Sequence, residues 1–300
     1  LPILEEVLGH EPDLVILYTG HNEFLEDRSY GEYREPSGLA RLSHLAVSRL
    51  RTAALVRRGW LALTGEQETS SGQQTLPTEV DARLDEEGGL ALYQRDDVWR
   101  HQVIDHFKLN LRRMIRLARV SNVPMLVVNP VEDLRDSPPF KSAFDQGLSS
   151  EQTQHCEQLL ESATMDQSLL VDQRIDLLEQ LLAIDPRRAD ALYLQGRFME
   201  AQGRLEEART LFLRAKDEDL CPLRMLESMH DALSMIARQN QVPVVDVRAD
   251  FIRRMAPGVV GRPQLVDHVH PSLEGHQWIA DSLIRQMAQM KMVDLPEGWH

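Results

Sequence analysis

The sequence predicts an α/β protein: a parallel sheet whose alternation of strands and helices is interrupted by a long all-helical segment. Three observations carry that expectation. Residues 13–19, 123–130 and 242–247 are short, nearly continuous apolar runs, the pattern of parallel strands buried on both faces. A stretch of helical periodicity precedes each run, at residues 3–9, 98–121 and 223–240, which is the rhythm of βαβ units. Between the second and third runs, residues 150–219 carry helical periodicity throughout.

In chain order, the first helix ends at Gly9 and Pro12, and the first apolar run then stops at Gly20, His21, Asn22 and Glu23. Ligands of open α/β sheets bind outside the carboxyl ends of the strands, so this turn is a site candidate. Asn22 can offer its side-chain amide to an oxyanion, and Gly20 leaves room for the backbone to approach. An ordinary turn would have the same composition. Residues 37–63 read as a basic amphipathic helix carrying Arg41, Arg49, Arg51, Arg57 and Arg58, expected to pack on its own protein. Residues 64–78, rich in Gly, Ser, Gln and Thr, read as a loop. The next helix, with Val103, Ile104, Phe107, Leu111, Met114 and Ile115 on one face, leads into the second strand. Pro138 and Pro139 then mark the change to the helical segment. Within it, residues 191–219 resemble a tetratricopeptide repeat, with small Gly196, Ala208 and Ala215 letting two helices approach closely. One such unit buries little alone, so it should pack on the α/β part or begin a short array.

The third strand leads toward residues 265–280, LVDHVHPSLEGHQWIA, the densest chemistry in the chain. Ser272 is a natural N-cap, Pro271 discourages an earlier helix start, and Trp278, Ile279, Leu283, Ile284 and Met287 recur at helical spacing. Asp267 and His270 thus lie in a loop anchored by a docked helix. An Asp three residues before a His can hold one imidazole nitrogen, fix the tautomer and support the imidazolium when His acts as a base. His268 and His270, with Asp267, Glu274 and His276 nearby, also permit a metal reading. The rest of the sequence supplies no complementary ligand cluster, so no metal is expected here.

Composition narrows the classes. Three hundred residues with 42% hydrophobic and 27% charged side chains suffice for a sizeable core. A net charge of −14 argues against general nucleic-acid binding, which needs basic surface. Cys156 and Cys221 lack metal-site spacing. No apolar run approaches the roughly 20 residues of a membrane span. The first residues read as the later part of a helix leading into a strand, so the chain is expected to belong to a longer one.

Together, Gly20-His21-Asn22-Glu23 after a buried strand and Asp267-His268-Val269-His270-Pro271 before the terminal helix resemble two sequence blocks of the SGNH or GDSL hydrolase superfamily. Glu23 stands where the family's first block ends in Asp; Pro271, Gly275 and His276 also fit the second. The two domain parts that hold these blocks cover roughly two-thirds of the chain, and the ordered pair is more specific than either block. The resemblance implies a flavodoxin-like three-layer domain with residues 1–135 as its first part and 220–300 as its last, split by a helical insertion at 136–219. It implies an ester hydrolase or acyl-transfer enzyme working through an acyl-serine without a metal or organic cofactor, with His270 as general base, Asp267 orienting it, and Asn22 and Gly20 in the oxyanion hole. The substrate would be a small-molecule, carbohydrate or lipid ester, and the insertion a possible site for a protein partner. The family's Gly-Asp-Ser block should precede the Asn block, yet residues 1–19 contain no Ser. The nucleophile is therefore missing and this chain by itself is expected to be inactive. The rival expectation is a protein-interaction scaffold built on the helical region, with a non-catalytic hydrolase-like domain.

Overall fold

A computed structural model describes residues 1–25 and 89–295. The basic helix expected at 37–63 and the loop expected at 64–78 lie outside the described residues.

The protein is mixed α/β, with nine α-helices and a three-stranded parallel sheet among the described residues. Helix α1 (Pro2–Leu8) starts with Pro2, whose missing N–H costs nothing in a first turn. Strand β1 (Val15–Tyr18) follows, and after the 3-10 turn Gly89–Leu92 comes α2 (Asp97–Val120), capped by Asp96, whose side chain accepts from the Trp99 N–H. Strand β2 (Met125–Asn129) is buried at all five positions, as the all-apolar run requires of a central strand. Then come α3 (Ser150–Met165), α4 (Val171–Ile184), α5 (Ala189–Ala201), α6 (Leu205–Asp217) and α7 (Glu227–Gln239). Strand β3 (Val244–Asp246), α8 (Val247–Met255) and α9 (Leu273–Gln289) complete the order.

The strands pair in the order β1-β2-β3, with Val15 opposite Met125 and Val127 opposite Val244. Leu126, Val128 and Val245 form a core with Val247 and Phe251 of α8 and Ile279 of α9. Helix α7 packs against β2, β3 and α2. The third strand stops one residue before its apolar run does because Asp246, its last residue, also caps α8, accepting from the Ala249 N–H at 3.0 Å. Helix α8 itself escaped the sequence reading. Only Val247 and Phe251 of its nine residues are buried, and Arg248, Asp250, Arg253 and Arg254 hide that two-residue stripe.

The helical segment forms two hairpins, α3 with α4 and α5 with α6. Residues 191–219 supply the second, and its helices are close enough that a Cβ on Gly196 would stand 2.8 Å from the Phe212 ring. The segment packs on the α/β part as expected: Ile175, Met199, Ala208 and Phe212 share a buried cluster with Leu134 and Val259. Among the described residues, no helix is long and apolar enough to cross a membrane.

Candidate functional site

Three loops meet beyond the carboxyl ends of the strands: residues 19–25 after β1, 130–137 after β2, and 256–272 between α8 and α9. They are tied by specific bonds. His21 Nε2–H donates to the Val131 carbonyl at 3.1 Å, while the Met225 N–H donates to His21 Nδ1 at 3.1 Å. The Asp133 N–H donates to the His268 carbonyl at 3.0 Å, and the Leu134 and Arg135 N–H groups share the Val260 carbonyl. Arg224, 3% exposed, donates from Nη1 to the carbonyls of Asp133 and Ser137, each at 2.7 Å.

The third loop carries the acid and the imidazole. An antiparallel bridge between Leu265 and Pro271 closes it, and the Val266 N–H donates to the His270 carbonyl at 2.8 Å. Inside this tight turn, one carboxylate oxygen of Asp267 accepts from the backbone N–H groups of Val269 and His270, at 2.9 and 2.8 Å. The other lies 2.7 Å from His270 Nδ1. Partial burial pushes the Asp267 carboxyl up, but the two N–H groups and the imidazole outweigh it and bring its pKa down to about 2. Asp267 is therefore ionised at neutral pH and holds Nδ1–H, which leaves Nε2 as the basic nitrogen. The His270 side chain is 68% exposed, and among the described residues its Nε2 has no hydrogen-bond partner. Ser272 caps α9 through the Gly275 N–H at 3.2 Å. Gly275 is required by this join, since a Cβ there would lie 2.4 Å from the Gln264 carbonyl oxygen.

In the first loop, Asn22 has φ 62°, a left-handed conformation that Asn tolerates better than most residues. Among the described residues its side-chain amide has no hydrogen-bond partner, and no hydrogen bond joins it to Asp267 or His270. Gly20 has φ 124°, and what approaches its bare Cα is the Met225 side chain, whose sulfur would stand 2.4 Å from a Cβ. His21, which matches no block residue, is the loop's anchor. Burial lowers its pKa to about 4 against the pull of Glu132, and a proton on Nδ1 would oppose the Met225 N–H.

Behind the loops lies a charge cluster that sequence reasoning missed. Glu132 and Lys216 are each 1% exposed, with Nζ donating to Glu132 Oε1 at 3.0 Å and Glu227 Oε1 at 2.6 Å. Arg248 joins both carboxylates, at 3.1 Å to Glu132 and 2.5 Å to Glu227. Burial by itself would raise the pKa of Glu132, but Lys216 and then Arg248 hold it well below the usual carboxylate range. His230 Nδ1 lies 2.6 Å from Asn129 Oδ1, while Asn129 donates its amide to Asp246 at 2.9 Å. Glu132, Glu227 and His230 have metal-ligand spacing, their donor atoms falling within 4.8 Å of one another. Their own counter-ions already fill the space between the carboxylates, however: a divalent ion there would face Lys216 and Arg248 at contact range. A faint signal was present. Lys216 falls on the buried stripe of Ala208, Phe212 and Ala215, and His230 on that of Met229, Leu233 and Ile236.

Comparison with known proteins finds no matching family model, no matching curated protein and no matching solved structure.

Proposed function

We propose that this chain carries the acid–base half of an ester-hydrolysing or acyl-transferring site of the SGNH or GDSL type. The observation that carries the reading is the Asp267–His270 pair at 2.7 Å, with the acid locked by two backbone N–H groups and the far imidazole nitrogen open to solvent. Strand-end loops on a parallel sheet, with α8 and α9 on one face and α7 against β2 and β3, support a flavodoxin-like three-layer domain. The resemblance assigns the nucleophile to a Gly-Asp-Ser serine that residues 1–19 do not contain.

In this reading His270 Nε2 accepts the proton of the attacking hydroxyl as the new C–O bond forms at the ester carbonyl. Asp267 stabilises the resulting imidazolium. The carbonyl oxygen becomes an oxyanion facing the Asn22 amide, with Gly20 in the same turn. Collapse expels the alcohol, which takes the proton from His270, and water attacking by the same route releases the acid. The substrate class is a small-molecule, carbohydrate or lipid ester.

The test is turnover of a chromogenic acetate by this chain and by a longer chain carrying a Gly-Asp-Ser block ahead of Leu1. Serine-dependent turnover by the longer chain alone, abolished by His270→Ala, is expected; turnover unaffected by His270→Ala refutes the reading. Asn22→Gly keeps the left-handed backbone and removes the amide, so kcat should fall by about 10²–10³ with KM nearly unchanged.

A second reading, a partner-binding scaffold, is favoured by Met165 and Leu170, 71% and 70% exposed at the turn between α3 and α4. It expects partner capture that survives His270→Ala and is lost on Leu170→Asp.

A further inference from the structure

An aromatic side chain stands beside the acid–base pair and belongs to none of the matched blocks. Phe140 meets His268 edge-on, with ring centroids 5.0 Å apart and planes at 79°, and the His268 ring lies 6.4 Å from that of His270. Phe140 is 38% exposed, so part of it faces solvent one ring away from the imidazole that would take the proton.

Its backbone is held unusually firmly for an exposed loop. The carboxylate of Asp219, 1% exposed, accepts from the N–H groups of Phe140 and Lys141 at 2.8 and 3.0 Å and from Cys221 at 2.9 Å. The Leu220 N–H donates to the Lys141 carbonyl at 3.0 Å, closing the clamp from the other strand of chain. Asp219 comes just after α6, so the exit of the helical segment fixes the loop that leads into it. A partly exposed ring on a pinned backbone, with a second ring against its edge, loses little freedom when a ligand covers it, which is the property of a preorganised binding surface. Burial lowers the pKa of His268 against the pull of Asp267, so beside Phe140 it is a neutral ring at pH 7, its side chain 20% exposed.

We propose that Phe140 and His268 form an apolar shelf beside His270, and that the site selects esters whose acyl or alcohol part is a ring with an apolar C–H or π face. Asp219 is the positioning residue of that shelf. The inference rests on the acyl-transfer reading for the identity of the reacting group, but the shelf binds a ring whether or not the pair is catalytic. Two ring chemistries share the required face, an aromatic ring and a pyranose.

The test uses the whole chain labelled with ¹⁵N-histidine and follows the His268 and His270 ring signals by NMR. The probes are phenyl acetate, methyl 6-O-acetyl-glucopyranoside, and ethyl acetate as the ringless control. A ring ester should shift both histidines at concentrations where ethyl acetate shifts neither, and whichever ring acts identifies the source. Phe140→Ala should weaken that binding by roughly two- to tenfold. Phe140→Tyr should restore it, and Asp219→Asn should weaken ring binding while the melting temperature shows the chain still folded. Equal shifts from ethyl acetate, undiminished binding to Phe140→Ala, or no shift from either ring ester overturns the shelf. If the shelf passes and Asp267→Asn leaves the His270 tautomer unchanged, the acid–base reading fails while the shelf stands.

Discussion

The Asp267–His270 pair and the Glu132–Lys216 cluster both join a carboxylate to a nitrogen base, yet they are built in opposite ways. The first is local and wet: three residues apart, on one turn, with side chains 44% and 68% exposed. The second is distant and dry: 84 residues apart, on a strand-end loop and a helix of the inserted segment, with both side chains 1% exposed. Local geometry suffices to orient an exposed group, because the turn supplies the hydrogen bonds and water supplies the solvation. A buried pair has no water, so its charges must be matched by the fold itself. One region is suited to chemistry and the other to holding the helical segment on the sheet. The two should therefore answer differently to mutation.

The largest effect is expected from Lys216→Met, which leaves Glu132 and Glu227 with Arg248 as their remaining strong counter-ion. Removing one partner of a buried pair costs on the order of 3–5 kcal/mol, and denaturant unfolding should read a loss of that size. A change under about 1 kcal/mol would mean the cluster is solvated and the contrast false. Excising residues 150–219 should destabilise the protein for the same reason, since it takes Lys216 away. Lys216 and Asp219, both within that segment, bind Glu132 and the Phe140 loop.

Next in size is the pH dependence carried by His21. Its folded pKa of about 4 lies below the ordinary 6.5, so the unfolded chain binds the extra proton between those values. The contribution is complete above pH 6.5 and is lost as pH falls to 4, amounting to about 3 kcal/mol. Burial raises Asp219 to about 6, and this acts in the opposite sense over much of the same window. The measurement is therefore a difference: wild type and His21→Gln, compared by denaturant unfolding at pH 7 and pH 4.5, should converge at the lower pH. A constant gap would remove the titration argument. His21, the variable position of the Gly-x-Asn block, is thus more than an ordinary turn residue.

Gly275→Ala should cost about 1–3 kcal/mol, because its Cβ would enter contact range of a backbone oxygen that cannot swing aside. Calorimetry checks it, and a neutral result would show that α9 can slide at its capped end. The smallest stability effect belongs to Asp267→Asn. This exposed pair should change stability by less than about 1 kcal/mol while altering the His270 tautomer, which ¹⁵N shifts report directly. A large melting change there would mean that the turn, and not the acid, is the reason for Asp267.

The sequence by itself determined whatever depends on neighbours along the chain. Apolar runs gave three parallel strands, helical periodicity gave α2, α7 and α9, and Ser272 placed the start of α9. The Asp-x-x-His spacing placed a carboxylate on an imidazole because both lie on one short turn. Strand ends were less legible, since Asp246 serves two elements, and α8 was hidden by its four charged residues. Tertiary structure alone decided what faces what. The Glu132–Lys216 pair, His21 between Val131 and Met225, and the hold of Asp219 on Phe140 each join residues 79 to 204 positions apart. A polar residue on a buried stripe signals only that some partner must exist. Packing chooses which one, because desolvation makes every other arrangement too costly.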